Sequence, residues 1–139
     1  MKFKKFKNKF IIRIDKGEEV VETLKKFCED NKINLGSITG IGATNKATIG
    51  LFDVETKKYY SKELTGNYEI TNLSGNISKM NNEVYLHLHI NLSDSEHKSF
   101  GGHLNSAVVS ATFEGIIEVI YGSVEREFSE EIGLNLYKI

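Results

Sequence analysis

The clearest pattern of apolar and polar positions is the strict alternation in EVYLHLHINLS, residues 83–93. One row of this alternation is wholly aliphatic, and the other holds polar groups and one tyrosine. Successive side chains of a strand point to opposite faces, so this segment predicts a strand with one core face and one polar face. His87 and His89 share the polar face, roughly 6.5–7 Å apart at Cα by strand rise. That spacing allows two imidazoles to converge on one metal ion.

A helical period occupies residues 20–31, where stripe positions recur at i, i+4, i+7, i+8 and i+11. These positions are Val20, Leu24, Phe27, Cys28 and Asn31. The preceding DKGE predicts a capping box, in which Asp15 accepts from the first free backbone amides while Glu18 reaches back. The helix is therefore predicted to begin there. Cys28 lies in the stripe, which favours a small core residue over a nucleophile.

FIIRI, residues 10–14, predicts a strand before this helix, and the helical period disappears after Asn34. Six β-type segments then follow: LGSITGIGA, KATIGLFD, YEITNLSGNIS, EVYLHLHINLS, TFEGIIEVIYG and the short NLYKI. The predicted fold class is α+β, with one main helix packed on a largely antiparallel sheet. Gly40, Gly42 and Gly50 interrupt the early strands and predict bulges, bends or close backbone approach.

Length and composition restrict the class of protein. The 139 residues suit a single domain, residues 1–139, that buries its own core. The lone Cys28 cannot form an internal disulfide and no secretory leader is visible, so we expect a cytoplasmic protein. No apolar run approaches the ~20 residues that span a bilayer, so no membrane association is expected. A net charge of −1 disfavours nucleic-acid binding over the whole surface.

Positive charge is concentrated in MKFKKFKNKF, residues 1–10, where five lysines are interleaved with phenylalanines. One interpretation is an arm that contacts phosphates or a membrane surface. The interpretation we favour is an edge strand, whose lysines discourage pairing with other chains. Any DNA contact of this protein would then be local.

All four histidines lie between residues 87 and 103. His103 is the candidate third metal ligand, because Gly101 and Gly102 would let the backbone turn sharply towards the strand that carries the other two. Three neutral imidazoles suit Zn²⁺, and also Ni²⁺, Co²⁺ or Fe²⁺, and leave a position open for water or a ligand. His97 lies in the polar SDSEHKS and is interpreted as solvated. The alternative is that the group forms a wet or subunit-facing surface without metal, and spacing alone leaves both open.

Other catalytic groups are sparse. No G-x-S-x-G segment is present, so a hydrolytic triad is not expected. Glu69, Asp94 and Glu114 are candidates for a general acid or base beside a metal-bound water, although exposed carboxylates are more often simply solvated.

Five segments in order, TGIGA, LFD, GNYEIT with LSGNI, HLHINLSD and GGHL, together resemble the PPC (plants and prokaryotes conserved) domain. This domain also occurs beside AT-hooks in plant nuclear proteins. The resemblance extends from Arg13 to VEREF, where Arg126 takes the place of an arginine typical of the family. It implies about seven mostly antiparallel strands with one main helix, assembled as a homotrimer. It also implies that His87, His89 and His103 cluster near a subunit boundary, where prokaryotic members can hold a metal.

The resemblance implies a stand-alone prokaryotic PPC protein, a DNA-binding or regulatory module with a DNA or protein partner. We expect a trimer with a metal or small-ligand site, with zinc the first choice of divalent transition metal. Arg126 and Glu69 are the candidate ligand-binding residues. The alternatives are a zinc-dependent enzyme that activates water at the same histidines, and a metal that clamps the trimer. No R-G-R-P core of an AT-hook is present, and Asn67 stands where plant members carry arginine.

Overall fold

The computed structural model describes all 139 residues and contains one helix and eight strands. In chain order these are β1 (Lys2–Phe6), β2 (Lys9–Asp15), α1 (Val20–Asp30), β3 (Gly36–Asp53), β4 (Lys58–Met80), β5 (Glu83–Ser93), β6 (Ser99–Val119), β7 (Arg126–Ser129) and β8 (Leu134–Tyr137). The predicted α+β class is confirmed. The count is eight rather than about seven. The single helix, α1, does not have the length and apolar composition that crossing a lipid bilayer requires.

Six strands form one antiparallel sheet in the order β1-β2-β6-β3-β4-β5. The long β6 pairs with β3 along one edge. Along its other edge it pairs with β5 through its first five residues and with β2 through its C-terminal half. The β5–β6 pairing closes β3, β4, β5 and β6 into a ring. The remaining strands, β7 and β8, form a separate hairpin.

Strand β3 joins two segments that the sequence predicted as separate. Its pairing with β4 shifts register between Gly40 and Gly42 and again between Thr44 and Lys46. The predicted bulge at these glycines is confirmed. A Cβ atom on Gly42 would lie 2.2 Å from the carbonyl oxygen of Thr112, so glycine is needed where β3 and β6 approach each other.

The start of α1 differs from the capping-box prediction. The N-cap is Glu19, four residues after the predicted cap Asp15, and its side chain accepts from the Glu22 backbone N–H at 2.6 Å. Glu18 does reach back to the Asp15 backbone N–H at 2.7 Å. Gly17 lies between them with φ of 88°, a left-handed conformation that ends the strand in a turn before helical geometry begins.

The predicted apolar stripe of α1 packs on the sheet. Its four apolar members, Val20, Leu24, Phe27 and Cys28, are all buried. The Phe27 ring meets Phe10 of β2 edge to face, with centroids 5.2 Å apart. Burial raises the pKa of the Cys28 thiol to about 12, so the thiolate is not formed at neutral pH. The interpretation of Cys28 as a core residue is confirmed.

The lysine-rich N-terminus forms the edge strand β1, which pairs only with β2. Its residues are exposed, and the lysines line an otherwise open row of backbone groups. The edge-strand interpretation is confirmed.

Glu19 also joins the helix to the sheet, since its second carboxylate oxygen accepts from the backbone N–H of Ala107 at 2.8 Å. Glu19→Ala should therefore lower the free energy of unfolding by about 1–3 kcal/mol, because it removes the cap and leaves a buried amide unpaired. Urea denaturation followed by circular dichroism measures the change. Glu22→Ala is the matched control, because that exposed side chain makes no hydrogen bond, and its cost should stay below about 0.5 kcal/mol. Equal losses would contradict the double role of Glu19.

Candidate metal and ligand site

Three histidines converge where β5 meets β6. His89 lies directly opposite His103 in the β5–β6 ladder, and His87 is two residues before His89 on the same face of β5. The ring centroids are 5.2 Å apart for His87 and His89, 5.2 Å for His87 and His103, and 5.6 Å for His89 and His103. One nitrogen from each ring lies within 4.8 Å of the other two. The structure thus brings together the three residues selected from the sequence.

His103 reaches the cluster by strand pairing, not by the sharp turn that was predicted. Gly101 and Gly102 lie inside β6 and pair with β5 in regular register, so that part of the prediction is wrong. A Cβ atom on Gly102 would lie 2.7 Å from the carbonyl oxygen of Gly50. Glycine at position 102 therefore allows β3 and β6 to approach closely, which holds His103 in its position next to His89.

The cluster fits a transition-metal ion. Two nitrogen ligands of one Zn²⁺ lie at most about 4.2 Å apart, since each Zn–N bond is about 2.1 Å. All three nitrogens lie within 4.8 Å of one another, so small rotations of the rings suffice to bring them onto one ion. Three histidine ligands leave a coordination position open.

The protonation of the cluster also suits a metal. Burial lowers the pKa of His87, and the positive charges of His103, Arg126 and His89 lower it further. Burial and the charge of His89 likewise lower the pKa of His103. Both rings therefore stay neutral to lower pH than an ordinary histidine, and the neutral imidazole is the form that binds metal.

The histidines line an open cavity of about 620 Å³, a size typical of small-molecule sites. The β3–β4 hairpin supplies one wall through Leu51, Phe52 and Tyr59. Strand β8, residues 134–137, supplies a second wall, and the buried Arg126 also lines the cavity. The cavity therefore combines a polar floor with largely apolar sides.

Arg126 is a buried residue, with 8% of its surface exposed. Its guanidinium donates to the Ser78 hydroxyl at 2.8 Å, to Asn76 Oδ1 at 2.7 Å and to the carbonyl oxygen of Asn135 at 2.8 Å. The first two partners lie on β4 and the third on β8. Arg126 therefore ties the β7–β8 hairpin to the main sheet and fixes the position of the cavity wall.

Two aromatic rings enclose the same guanidinium. Its carbon lies 4.8 Å from the ring centroid of Tyr85 and 4.3 Å from that of Tyr137, within cation–π distance. The charge of Arg126 has no carboxylate partner, because its hydrogen-bond acceptors are all neutral. It remains close enough to His87 to lower the pKa of that ring.

The other candidate residues lie elsewhere. Glu69 is exposed on β4, opposite Ser93, and does not line the cavity with Arg126. Asp94 caps the turn after β5 by accepting from two backbone amides, and Glu114 is exposed on β6. His97 lies in that turn, exposed and outside the cluster. The structure brings none of these four side chains to the histidines.

Sequence reasoning missed five polar or aromatic residues around the site: Tyr59, Asn76, Tyr85, Asn135 and Tyr137. Tyr85 could have been found, since it shares the polar row of β5 with His87 and His89. Tyr59 donates to Asn105 at 2.7 Å and its hydroxyl lies over Gly50, where a Cβ atom would be 2.0 Å away. No local pattern connects that tyrosine, or the β7–β8 hairpin, to the histidines.

Together, the fold and the site define an α+β domain of mostly antiparallel strands that carries an accessible three-histidine cluster. The chain belongs to the Plants and Prokaryotes Conserved (PCC) domain family, also abbreviated PPC, whose model matches residues 1–121. The resemblance seen in the ordered sequence segments is thereby confirmed.

Solved structures of similar proteins cover nearly the whole chain. A "putative DNA-binding protein" from Bacteroides thetaiotaomicron is 40% identical, with a TM-score of 0.96 over 99% of this chain and 96% of that one. A metal-containing protein from Archaeoglobus fulgidus is 36% identical, with a TM-score of 0.86 over 98% and 96%. A PPC protein from Pyrococcus horikoshii is 31% identical, with a TM-score of 0.87 over 99% and 94%.

A curated relative is much longer. The bifunctional protein GlmU of a Synechococcus strain is 27% identical over 121 residues, which are 86% of this chain but 18% of that protein. The chain thus spans less than a fifth of the curated relative that it matches.

The lowered pKa values of His87 and His103 predict a pH-dependent stability of the metal-free protein. Each pKa lies below the ordinary value of 6.5 that applies in the unfolded chain, so the folded state favours the neutral rings. The folded state is therefore most stable above pH 6.5, and it loses stability as the pH falls through the folded-state pKa values. Urea denaturation at pH values from about 7.5 to 5 measures the trend. The double variant His87→Gln/His103→Gln should show a flatter profile than wild type. His97→Gln, outside the cluster, is the matched control; an unchanged slope in the double variant would contradict the assignment.

Proposed function

We propose that residues 1–139 form one PPC domain that binds a divalent transition metal, with zinc the first choice, through His87, His89 and His103. Its role is binding or regulation rather than catalysis. The observation that carries this proposal is the convergence of three imidazole nitrogens within 4.8 Å at the floor of an accessible cavity. The metal-containing relative from Archaeoglobus fulgidus, similar over nearly the whole chain, supports it.

The lining of the cavity favours binding over catalysis. Water activated by zinc needs a nearby group to take up or supply a proton. No Asp or Glu lines the cavity. Its one permanently charged side chain is Arg126, and three N–H groups of that residue bond to the protein. The alternative of a zinc-dependent hydrolytic enzyme therefore lacks a carboxylate beside the metal-bound water.

Assembly as a homotrimer is part of the proposal. Ile11 of β2 lies opposite Ile116 of β6 in the ladder, and both are 44% exposed. Ile41 of β3, 61% exposed, lies opposite Glu114 two residues before Ile116. Exposed aliphatic side chains gathered on one sheet face are typical of a surface that another subunit covers. A cytoplasmic location is also proposed, which the unpaired and buried Cys28 supports.

DNA is the proposed macromolecular partner. The relative from Bacteroides thetaiotaomicron, at 40% identity, carries the name of a putative DNA-binding protein. The overall charge of −1 restricts such contact to a local surface, and the exposed lysines of β1 are the candidate.

Protein purified without a histidine tag is expected to carry about one transition-metal ion per chain, because all three histidine ligands come from the same chain. Elemental analysis measures the ion, and light scattering of the same sample should give three times the chain mass of 15.7 kDa. His87→Ala/His89→Ala should lose the metal, and His97→Ala, the matched control, should keep it. An ion-free wild type that also fails to take up added Zn²⁺ would refute the metal site.

Binding to a labelled DNA duplex should weaken with added salt, and the triple variant Lys2→Gln/Lys4→Gln/Lys5→Gln should flatten that dependence. Each lost phosphate contact lowers the slope of log K against log salt by about 0.9. Fluorescence anisotropy across a salt series gives the slope. The matched control is Lys57→Gln/Lys58→Gln/Lys62→Gln, which removes the same charge from the exposed β3–β4 hairpin. A slope that falls equally in both variants, or in neither, would exclude β1 as the DNA contact.

A further inference from the structure

The cavity carries positive charge that the protein does not balance. Arg126 lies at its base with only neutral acceptors, Ser78, Asn76 and the carbonyl group of Asn135. No acidic side chain lines the cavity, and Arg126 takes part in no ion pair. A divalent ion on three neutral histidines adds two more positive charges. A cavity with this charge favours an anionic ligand from solution, which would balance it.

The walls of the same cavity are apolar where they face solvent. Leu51 of β3 is 63% exposed, and Leu134 and Leu136 of β8 are 38% and 40% exposed. These leucines flank the cavity from two different hairpins. Exposed apolar side chains that converge on a concave site typically contact the apolar body of a ligand.

The polar groups of the cavity favour a carboxylate over a phosphate. A phosphate group is usually held by several free donors. Here three of the five N–H groups of Arg126 already bond to the protein, and the hydroxyl of Tyr59 donates to Asn105. The open metal position is therefore the main attachment point, and carboxylate oxygen is a normal ligand of Zn²⁺.

We propose that this cavity binds a small monocarboxylate with an aliphatic or aromatic body. The carboxylate lies towards the three histidines and Arg126, and the body packs against Leu51, Leu134 and Leu136. The cavity of about 620 Å³ has the size of such a ligand site. This inference rests on the proposed metal site, and it names the class of molecule that the site recognises.

The test uses protein loaded with Co²⁺, whose visible absorption reports changes in coordination. The probes are phenylpropionate, acetate and phenylpropanol. Acetate keeps the charge without the apolar body, and phenylpropanol keeps the body without the charge. Phenylpropionate should bind at least about tenfold more tightly than acetate, because it buries several more carbon atoms. It should exceed phenylpropanol by a similar factor, because only the carboxylate brings a negative charge to the metal ion and Arg126. Isothermal titration calorimetry measures the three affinities, including any binding that leaves the spectrum unchanged.

A pair of variants tests the apolar wall. Leu51→Ser should weaken phenylpropionate binding by about fivefold or more and leave acetate binding unchanged, because only the apolar body contacts this residue. Val54→Ser is the matched control, since Val54 lies in the turn of the same β3–β4 hairpin, is 45% exposed, and does not line the cavity. It should leave both affinities unchanged.

The outcomes separate the two proposals. Failure to take up Co²⁺ would overturn the metal site and the ligand inference with it. If Co²⁺ binds but phenylpropionate binds no better than acetate or phenylpropanol, the ligand inference is overturned and the metal site stands. Inorganic phosphate is the fourth probe, and tighter binding of phosphate than of phenylpropionate would overturn the assignment of a carboxylate.

Discussion

The pairing of β5 with the first residues of β6 is the constraint on which the rest of the site depends. This five-residue ladder, from His89 opposite His103 to Ser93 opposite Ser99, closes the ring of four strands. A slip of one residue would turn every side chain of the slipped strand to the opposite face. The register therefore fixes both the aliphatic row in the core and the histidine cluster on the other face. Gly102 keeps β6 close to β3 at this point, because any larger residue would push β6 away from Gly50.

The strands and the helix could be predicted to different degrees. The alternation in β5 and the stripe of α1 are complete within one element, so local sequence was sufficient to find them. The continuity of β3 was not predictable, because its glycines resemble chain breaks until the partner strands are known. The helix start at Glu19 was missed because Gly17 interrupts the DKGE segment with a left-handed backbone, and sequence alone does not show that conformation.

The histidine cluster was predictable because two of its members alternate on one strand and the third lies in a short segment downstream. The residues around the cluster were not predictable, since they come from three separate hairpins. Arg126 was selected through the family resemblance, and its hydrogen bonds to Ser78 and Asn76 explain its burial. Glu69 has a carboxylate that suited the predicted role, but its position on β4 places it outside the cavity.

The hairpin of β7 and β8 is attached to the main sheet through Arg126, and it begins beyond residue 121, where the match to the family model ends. The three histidines and the outer wall of the cavity are thus encoded in different stretches of the chain. A change in the sequence or length of this C-terminal segment alters the shape of the cavity without disturbing the strand pairing that sets the histidines. The same three-histidine core can therefore be combined with cavities of different shape, through evolution of a segment of about fifteen residues.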